Sequence, residues 1–293
     1  MTGSRRRVHH HNTTSLAQYD DAAQAAAGQV IRRYSTSFGL GARLLPRAMR
    51  RHIESIYAMV RVADEVVDTY RGSDAGTVLA GFESSVQGAM SGHFSTDLVS
   101  HAFGVTSRAV GITQDQTDPF FASMRMDLSP HAHDAESFAR YVFGSAEVVG
   151  EMCLAVFLNT AKGARPLPAD AVVGARRLGA AYQKINFLRD LAMDDEQLGR
   201  SYFPGITAST LSDSQLVGLV ADCRADIVAA ESCLPVLPRR ARVAVRTTID
   251  IYSRLLNDIA ATPAAELVTT RVRVPHPAKL AIAARNAWPW STS

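Results

Sequence analysis

The chain has 293 residues, 47% of them hydrophobic and 20% charged, with 31 basic against 28 acidic side chains and a net charge of +3. That balance is globular: it excludes a mostly disordered chain, and so small a basic excess speaks against a dedicated nucleic-acid binder. Three cysteines (Cys153, Cys223, Cys233) form no CxxC pair, which excludes a disulfide scaffold and fits a reducing compartment.

In chain order, residues 1 to about 16 read as a disordered basic tail, with the runs Arg5-Arg6-Arg7 and His9-His10-His11. No apolar stretch follows to make it a secretory signal, so a cytoplasmic protein is expected. From Leu16 onward the period is helical, and β-branched alternation is hard to find. Helices are predicted at 17–34, 47–70, 76–91, 96–111, 117–127, 134–160, 168–198, 211–234, 238–261 and 275–287. Pro46 opens the second at its first turn; Pro166 and Pro168, then Pro235 and Pro238, separate long helices. No linker or internal repeat divides residues 17–290, so one all-α domain is expected, a bundle of long helices around a central cavity. The most apolar stretch, Tyr141 to Leu158, carries Glu147 and Glu151. With no run of about 18 apolar residues, it reads as a buried helix rather than a membrane span.

Two segments break the rules of a buried helix. The first, Ile56 to Asp68, is apolar nearly all round yet holds Arg61, Asp64 and Asp68. At 100° per residue, Tyr57, Arg61, Asp64 and Asp68 fall on one strip about 60° wide, with Glu65 beside it. Two carboxylates one turn apart repel, and burial costs each its solvation, so they need cations. Arg61 supplies one charge and a metal is the natural second, unless the strip is only a local Arg–Asp pair. The second segment, Tyr182 to Asp195, places Gln183, Asn186, Asp190 and Asp194 within about 80° of one another, with Lys184 and Arg189 flanking. Every one of the four is an oxygen donor, and Ile185, Phe187, Leu188 and Leu191 interleave, which a solvated face would not show. Oxygen without histidine or cysteine points to magnesium, with manganese as a substitute, and away from zinc. Such strips facing across a cavity would bridge metal to a diphosphate leaving group, and the apolar remainder would enclose a hydrocarbon. No GxxxxGK[ST] loop competes, and His52, His101 and His276 form no recognisable triad by spacing.

In order, Arg61-x-x-Asp64-x-x-x-Asp68 and Gln183-x-x-Asn186-x-x-Arg189-Asp190-x-x-x-Asp194-Asp195, then Gly199-Arg200-Ser201-Tyr202-Phe203-Pro204, resemble the two signatures of the squalene/phytoene synthase family, the head-to-head prenyl synthases. Tyr34 to Phe38, Leu44-Leu45-Pro46 and Tyr141 to Gly150 are similar to its entry region and central helix. The resemblance covers about residues 30–205. It implies an isoprenoid-synthase-type bundle in which two prenyl diphosphates condense through a cyclopropylcarbinyl diphosphate. It also implies the roles. Asp64, Asp68, Asp190 and Asp194, assisted by Asn186, would hold Mg²⁺. Arg61 and Arg189 would bind diphosphate, and Ser35, Ser37 and Tyr57 would contact it near the mouth. Gln183 and Tyr141 would line the reacting centre, and Arg200 and Tyr202 would belong to a closing flap.

Glu65 stands where many members have aspartate, Tyr34 where some have histidine, Lys184 where a small polar residue is common, and Glu147 where some C30-forming members have glycine. Met124 to Leu128 and Gly144 to Gly150 are most similar to bacterial phytoene synthases. The expected substrate is therefore geranylgeranyl diphosphate, giving phytoene for carotenoid biosynthesis without NADPH. Three alternatives stay open: a C30 enzyme acting on farnesyl diphosphate, a head-to-tail prenyltransferase or cyclase, and a non-catalytic scaffold. The C-terminal stretch Pro275 to Trp290, with Lys279, Arg285, Trp288 and Trp290, reads either as a peripheral contact with the inner face of the membrane or as a helix docked on the bundle.

Overall fold

Runs with a 3.6-residue apolar period, punctuated by proline and glycine, become helices in the computed structural model, which describes residues 15–70 and 72–288 and leaves aside the side chains of His131, Ala192, Met193 and 195–198. The tail up to residue 14, the Asp195 side chain and Trp290 lie outside the described residues. The chain forms α1 (Ser15–Tyr34), α2 (Ser37–Arg43), α3 (Arg47–Asp68), α4 (Ala75–Met90), α5 (Leu98–Val110) and α6 (Gln114–Met126). A short strand β1 (His131–Ala132) precedes α7 (Ala135–Val142), a π-helical turn (Phe143–Glu147) and α8 (Val148–Asn159). Then come α9 (Ala169–Leu198), β2 (Arg200–Ser201), α10 (Asp213–Glu231), a 3₁₀ turn (Leu234–Val236), α11 (Arg239–Ala260), α12 (Ala264–Leu267) and α13 (His276–Ala287).

The ends have local causes. Thr113 with Gln116, Asp134 with Ser137 and Ser212 with Gln215 form reciprocal caps that satisfy first-turn amides of α6, α7 and α10. Gly111 (φ 84°) and Gly199 (φ 63°) end α5 and α9 in the left-handed region that other residues avoid. The short α2 and α12 were not expected; seven and four residues are too few to show a period.

The helix expected over 134–160 is not a uniform one. At Gly144 an added Cβ would stand 2.1 Å from the Pro119 carbonyl oxygen, so the backbone rides against α6 where the π turn widens it. Gly150 and Gly179 let α8 and α9 approach as closely: a Cβ would come within 2.3 Å of the Ala175 and Ala146 carbonyl oxygens, respectively. Against the expectation of no such segment, Ala135–Asn159 is long and apolar enough to cross a membrane, with a mean hydropathy of 1.6 over 18 residues. Two glutamates do not outweigh so many apolar neighbours. In the fold it packs against α3, α6 and α9, and over half of that window is buried.

Phe103, Phe120, Phe121, Met152, Ile185 and Leu188 are fully buried in the core that these helices share. The parallel pair β1–β2, His131 beside Arg200, ties the chain before α7 to the chain after α9. Helix α13 is docked on α2 and α11. Lys279 donates to Thr36 Oγ1 (2.8 Å), and Arg285 and Asn286 both donate to Asp250 Oδ2 (2.8 Å).

Candidate active site

A cavity of about 970 Å³ runs through the bundle between α3, α8, α9 and α11. Apolar interleaving aims one strip of each long helix inward, and the cavity meets both. Tyr57, Arg61, Asp64 and Asp68 line it from α3; Gln183, Asn186, Asp190 and Asp194 line it from α9. Arg189, Ser35 and Ser37 line it as well.

The charges here are paired but crowded. Arg61 pairs with Glu65, stands 4.0 Å from Asp64 and lies over the Tyr34 ring at 4.6 Å. Arg189 Nη2 holds Asp190 Oδ2 at 2.5 Å, and Arg271 Nε holds the other oxygen of that carboxylate at 2.7 Å. Burial first, then the neighbouring Asp68, pushes the Asp64 carboxyl up to about 7. Burial, then Asp190 and Asp68, does the same to Asp194. Asp68 and Asp194 sit on different helices, so the two strips repel each other across the cavity.

This donor set suits a hard divalent cation. All five candidate ligands present oxygen, and carboxylates that repel one another are relieved by positive charge. Among the described residues no three acidic, histidine or cysteine side chains converge to hold an ion alone.

Beyond the carboxylates the wall turns aromatic, then aliphatic. Tyr182 and Tyr252 stack at 4.1 Å, and Phe38 meets them at 5.7 and 5.6 Å. Tyr252 donates to Asn186 Oδ1 (3.4 Å), joining α11 to the second strip. Val149, Leu154, Phe157 and Leu178 continue the wall inward.

Several placements differ from the sequence reading. Tyr141, expected at the reacting centre, is off the cavity wall and 2% exposed; its hydroxyl donates to Asp127 Oδ2 at 2.6 Å. Arg200 and Tyr202, expected in a flap, are buried in the same network. Tyr202 donates to Asp127 Oδ1 (3.2 Å). Arg200 reaches Asp68 Oδ1 (2.6 Å) and the carbonyls of Val67 and Asp127 (2.8 and 2.7 Å). The β1–β2 pairing pulls this segment inward, where it braces the first strip from behind. Lys184 does not flank the second strip; it turns to Asp222 and Asp226 on α10. Sequence reasoning missed Arg271, Arg273 and the cavity face of Lys279, which line the mouth together. The alternation Arg271-Val272-Arg273 was the only hint.

A family model described as squalene/phytoene synthase matches residues 31–278. The chain is 31% identical over 277 residues to the 15-cis-phytoene synthase of Synechocystis, covering 86% of this chain and 80% of that one. It is 26% identical over 254 residues to phytoene synthase 1 of Solanum lycopersicum, covering 80% of this chain and 60% of that one. Among solved structures it is similar to a dehydrosqualene synthase with bound ligand (TM-score 0.78, 22% identity, covering 92% and 96% of the two chains). It is also similar to the squalene synthase HpnC of Alicyclobacillus acidocaldarius (TM-score 0.71, 21% identity, covering 82% and 94%).

Proposed function

The chain belongs to the squalene/phytoene synthase family of prenyltransferases, and from that premise we propose that it joins two geranylgeranyl diphosphates head to head into phytoene, using Mg²⁺ and no NADPH. The observation that carries this reading is the facing of two acidic strips, on α3 and α9, across a cavity whose remaining wall is apolar.

Asp64, Asp68, Asp190 and Asp194, with Asn186, would hold Mg²⁺, which when bound neutralises the diphosphate leaving group. Arg61, Arg189 and the mouth cations Arg271, Arg273 and Lys279 attract and orient the diphosphates. The Phe38, Tyr182 and Tyr252 rings line the cavity beside the second strip, where a carbocation would form, and keep water from it. Asp127, through Arg200, holds the Asp68 carboxylate in place.

Depth supports a C20 chain. Along α9 the wall extends from Asn186 back to Ala171, about 22 Å at 1.5 Å per residue. The four isoprene units of a geranylgeranyl main chain fit within that length and reach farther along it than the three of farnesyl. The phytoene synthases among the relatives agree. The C30 synthases among the solved structures, at 21–22% identity, speak for the fold. A C40 hydrocarbon is insoluble in water, so the same reading puts the enzyme in the cytoplasm at a membrane surface.

The test is product analysis: purified protein, Mg²⁺, and geranylgeranyl or farnesyl diphosphate, with and without NADPH. The expected result is a C40 hydrocarbon from geranylgeranyl diphosphate alone. A C30 product from farnesyl diphosphate only would replace the substrate; no hydrocarbon from folded protein would leave a scaffold. Asp64→Asn and Asp190→Asn should each lower turnover by at least about 10²-fold with helical content unchanged by circular dichroism. Near-normal rates in both would remove the metal assignment.

A further inference from the structure

Asp190 is held by cations from two sides. Arg189, its neighbour on α9, donates to Oδ2 through Nη2 at 2.5 Å, and its Nε reaches the two carboxylate oxygens at 3.1 and 3.2 Å. Arg271 arrives from the link between α12 and α13, with Nε 2.7 Å from Oδ1. One carboxylate charge therefore meets two guanidinium charges. Both of its oxygens, which the second strip would offer to a metal, are already in contact with a cation.

Of the two, Arg271 is free to leave. Its ion pair with Asp190 is the only polar contact its side chain makes among the described residues, and the side chain is 38% exposed. An ion pair so open to solvent is weak. The backbone beneath it is also lightly held. Thr270 N closes a turn on the Glu266 carbonyl (2.9 Å) and α13 begins at His276, but residues 271–274 enter no backbone–backbone hydrogen bond among the described residues. Buried Val274 anchors the link, and Arg271 and Arg273 both reach the cavity mouth. The charges there feel one another: burial, then Arg189 and Arg273, push the Lys279 ammonium down. Arg189, Arg271, Arg273 and Lys279 together suit a polyanion and oppose the approach of a bare divalent cation.

We propose that Arg271 is an exchangeable counter-cation: it holds Asp190 against divalent metal and passes to diphosphate when that anion arrives, so that metal and diphosphate enter the site together. The proposal rests on the Mg²⁺–diphosphate reading of the cavity. A diphosphate carries several negative charges and binds a guanidinium through paired N–H donors, so it outbids a single carboxylate for Arg271. Asp190 Oδ1 is then released to the metal that the same diphosphate brings, while Arg189 stays on Oδ2. Without diphosphate, a lone metal ion must compete with Arg271 for that oxygen and meets the repulsion of its charge.

The test is calorimetric titration of the full chain at pH 8, first with MgCl₂ alone, then with inorganic diphosphate in constant excess MgCl₂. Arg271→Gln should bind Mg²⁺ alone at least about 5-fold tighter and diphosphate at least about 10-fold weaker. A merely structural residue would weaken both, and a plain diphosphate ligand would leave the first unchanged. Arg271→Lys keeps the charge and should return both affinities toward those of the parent. Arg273→Gln lies at the same mouth but pairs with no carboxylate among the described residues. It should weaken diphosphate and leave the affinity for Mg²⁺ alone unchanged. The proposal is overturned if Arg271→Gln leaves the Mg²⁺ affinity unchanged or lowers it, or if Arg273→Gln raises it equally. Mg²⁺-dependent diphosphate binding by the parent supports the synthase reading whatever these variants do; a parent that binds no diphosphate in Mg²⁺ would sink both.

Discussion

At the level of single residues, the chemistry is set by acids that burial and mutual repulsion hold out of their ordinary range. Asp64 and Asp194 rise to about 7 in the folded protein from 3.8. Between those values the native state keeps protons that the unfolded chain has released, so these groups make stability fall as pH rises from about 4 to 7. In EDTA, melting should therefore occur at a lower temperature at pH 8 than at pH 5.5, once other groups are matched in an Asp64→Asn, Asp194→Asn control that loses this difference. Added Mg²⁺ with inorganic diphosphate should restore more stability at pH 8 than at pH 5.5, because only the ionised carboxylates bind. A melting temperature independent of these two residues would show the acids to be uncoupled. The strips themselves were legible, because a charge repeating every three or four positions in an apolar run has few physical excuses. Asp127 was not: it is one acid among apolar neighbours until Tyr141, Tyr202 and Arg200 close on it.

Elements bring those residues together through close backbone approach. Gly150 on α8 and Gly179 on α9 face carbonyls of the opposite helix with no room for a methyl group. Alanine improves an exposed helix by about 1 kcal/mol over glycine, yet here overpacking should outweigh that gain. Gly150→Ala and Gly179→Ala are each expected to destabilise by about 1–3 kcal/mol in denaturant unfolding; a stabilised variant would show that the helices can part freely. Helix extents were readable to within a few residues from capping residues, proline and period. The π turn at Phe143–Glu147 was not, since its cause is the Pro119 carbonyl on another helix. Nor was the two-residue β1–β2 pairing, which has no alternating pattern of its own.

At the scale of the molecule, cavity length decides which prenyl chain fits. Ala175 lines the cavity about 17 Å along α9 from Asn186, beyond the reach of three isoprene units and within that of four. Ala175→Phe should lower kcat/KM for geranylgeranyl diphosphate at least about 10-fold while largely sparing farnesyl diphosphate. Equal losses on both substrates would show that the tail does not lie along this wall. Membrane contact also belongs to this scale. The C-terminal stretch offered aromatic and basic residues for it, but the fold turns Lys279 toward the cavity mouth and fastens α13 through Asp250.

By itself the sequence determined the helical class, the positions of the long helices and the two strips of ligating oxygens, because period and angular spacing are local properties of one helix. The order of its motifs also determined the family. Only the tertiary structure decided that both strips share one cavity, that Arg271, Arg273 and Lys279 close around it, and that Tyr141 and Arg200 stand behind the wall. Those facts depend on contacts between residues far apart in the chain, such as Arg200 with Asp68 or Arg271 with Asp190. No spacing along one helix encodes which distant side chain arrives beside it; packing of the apolar faces selects that partner.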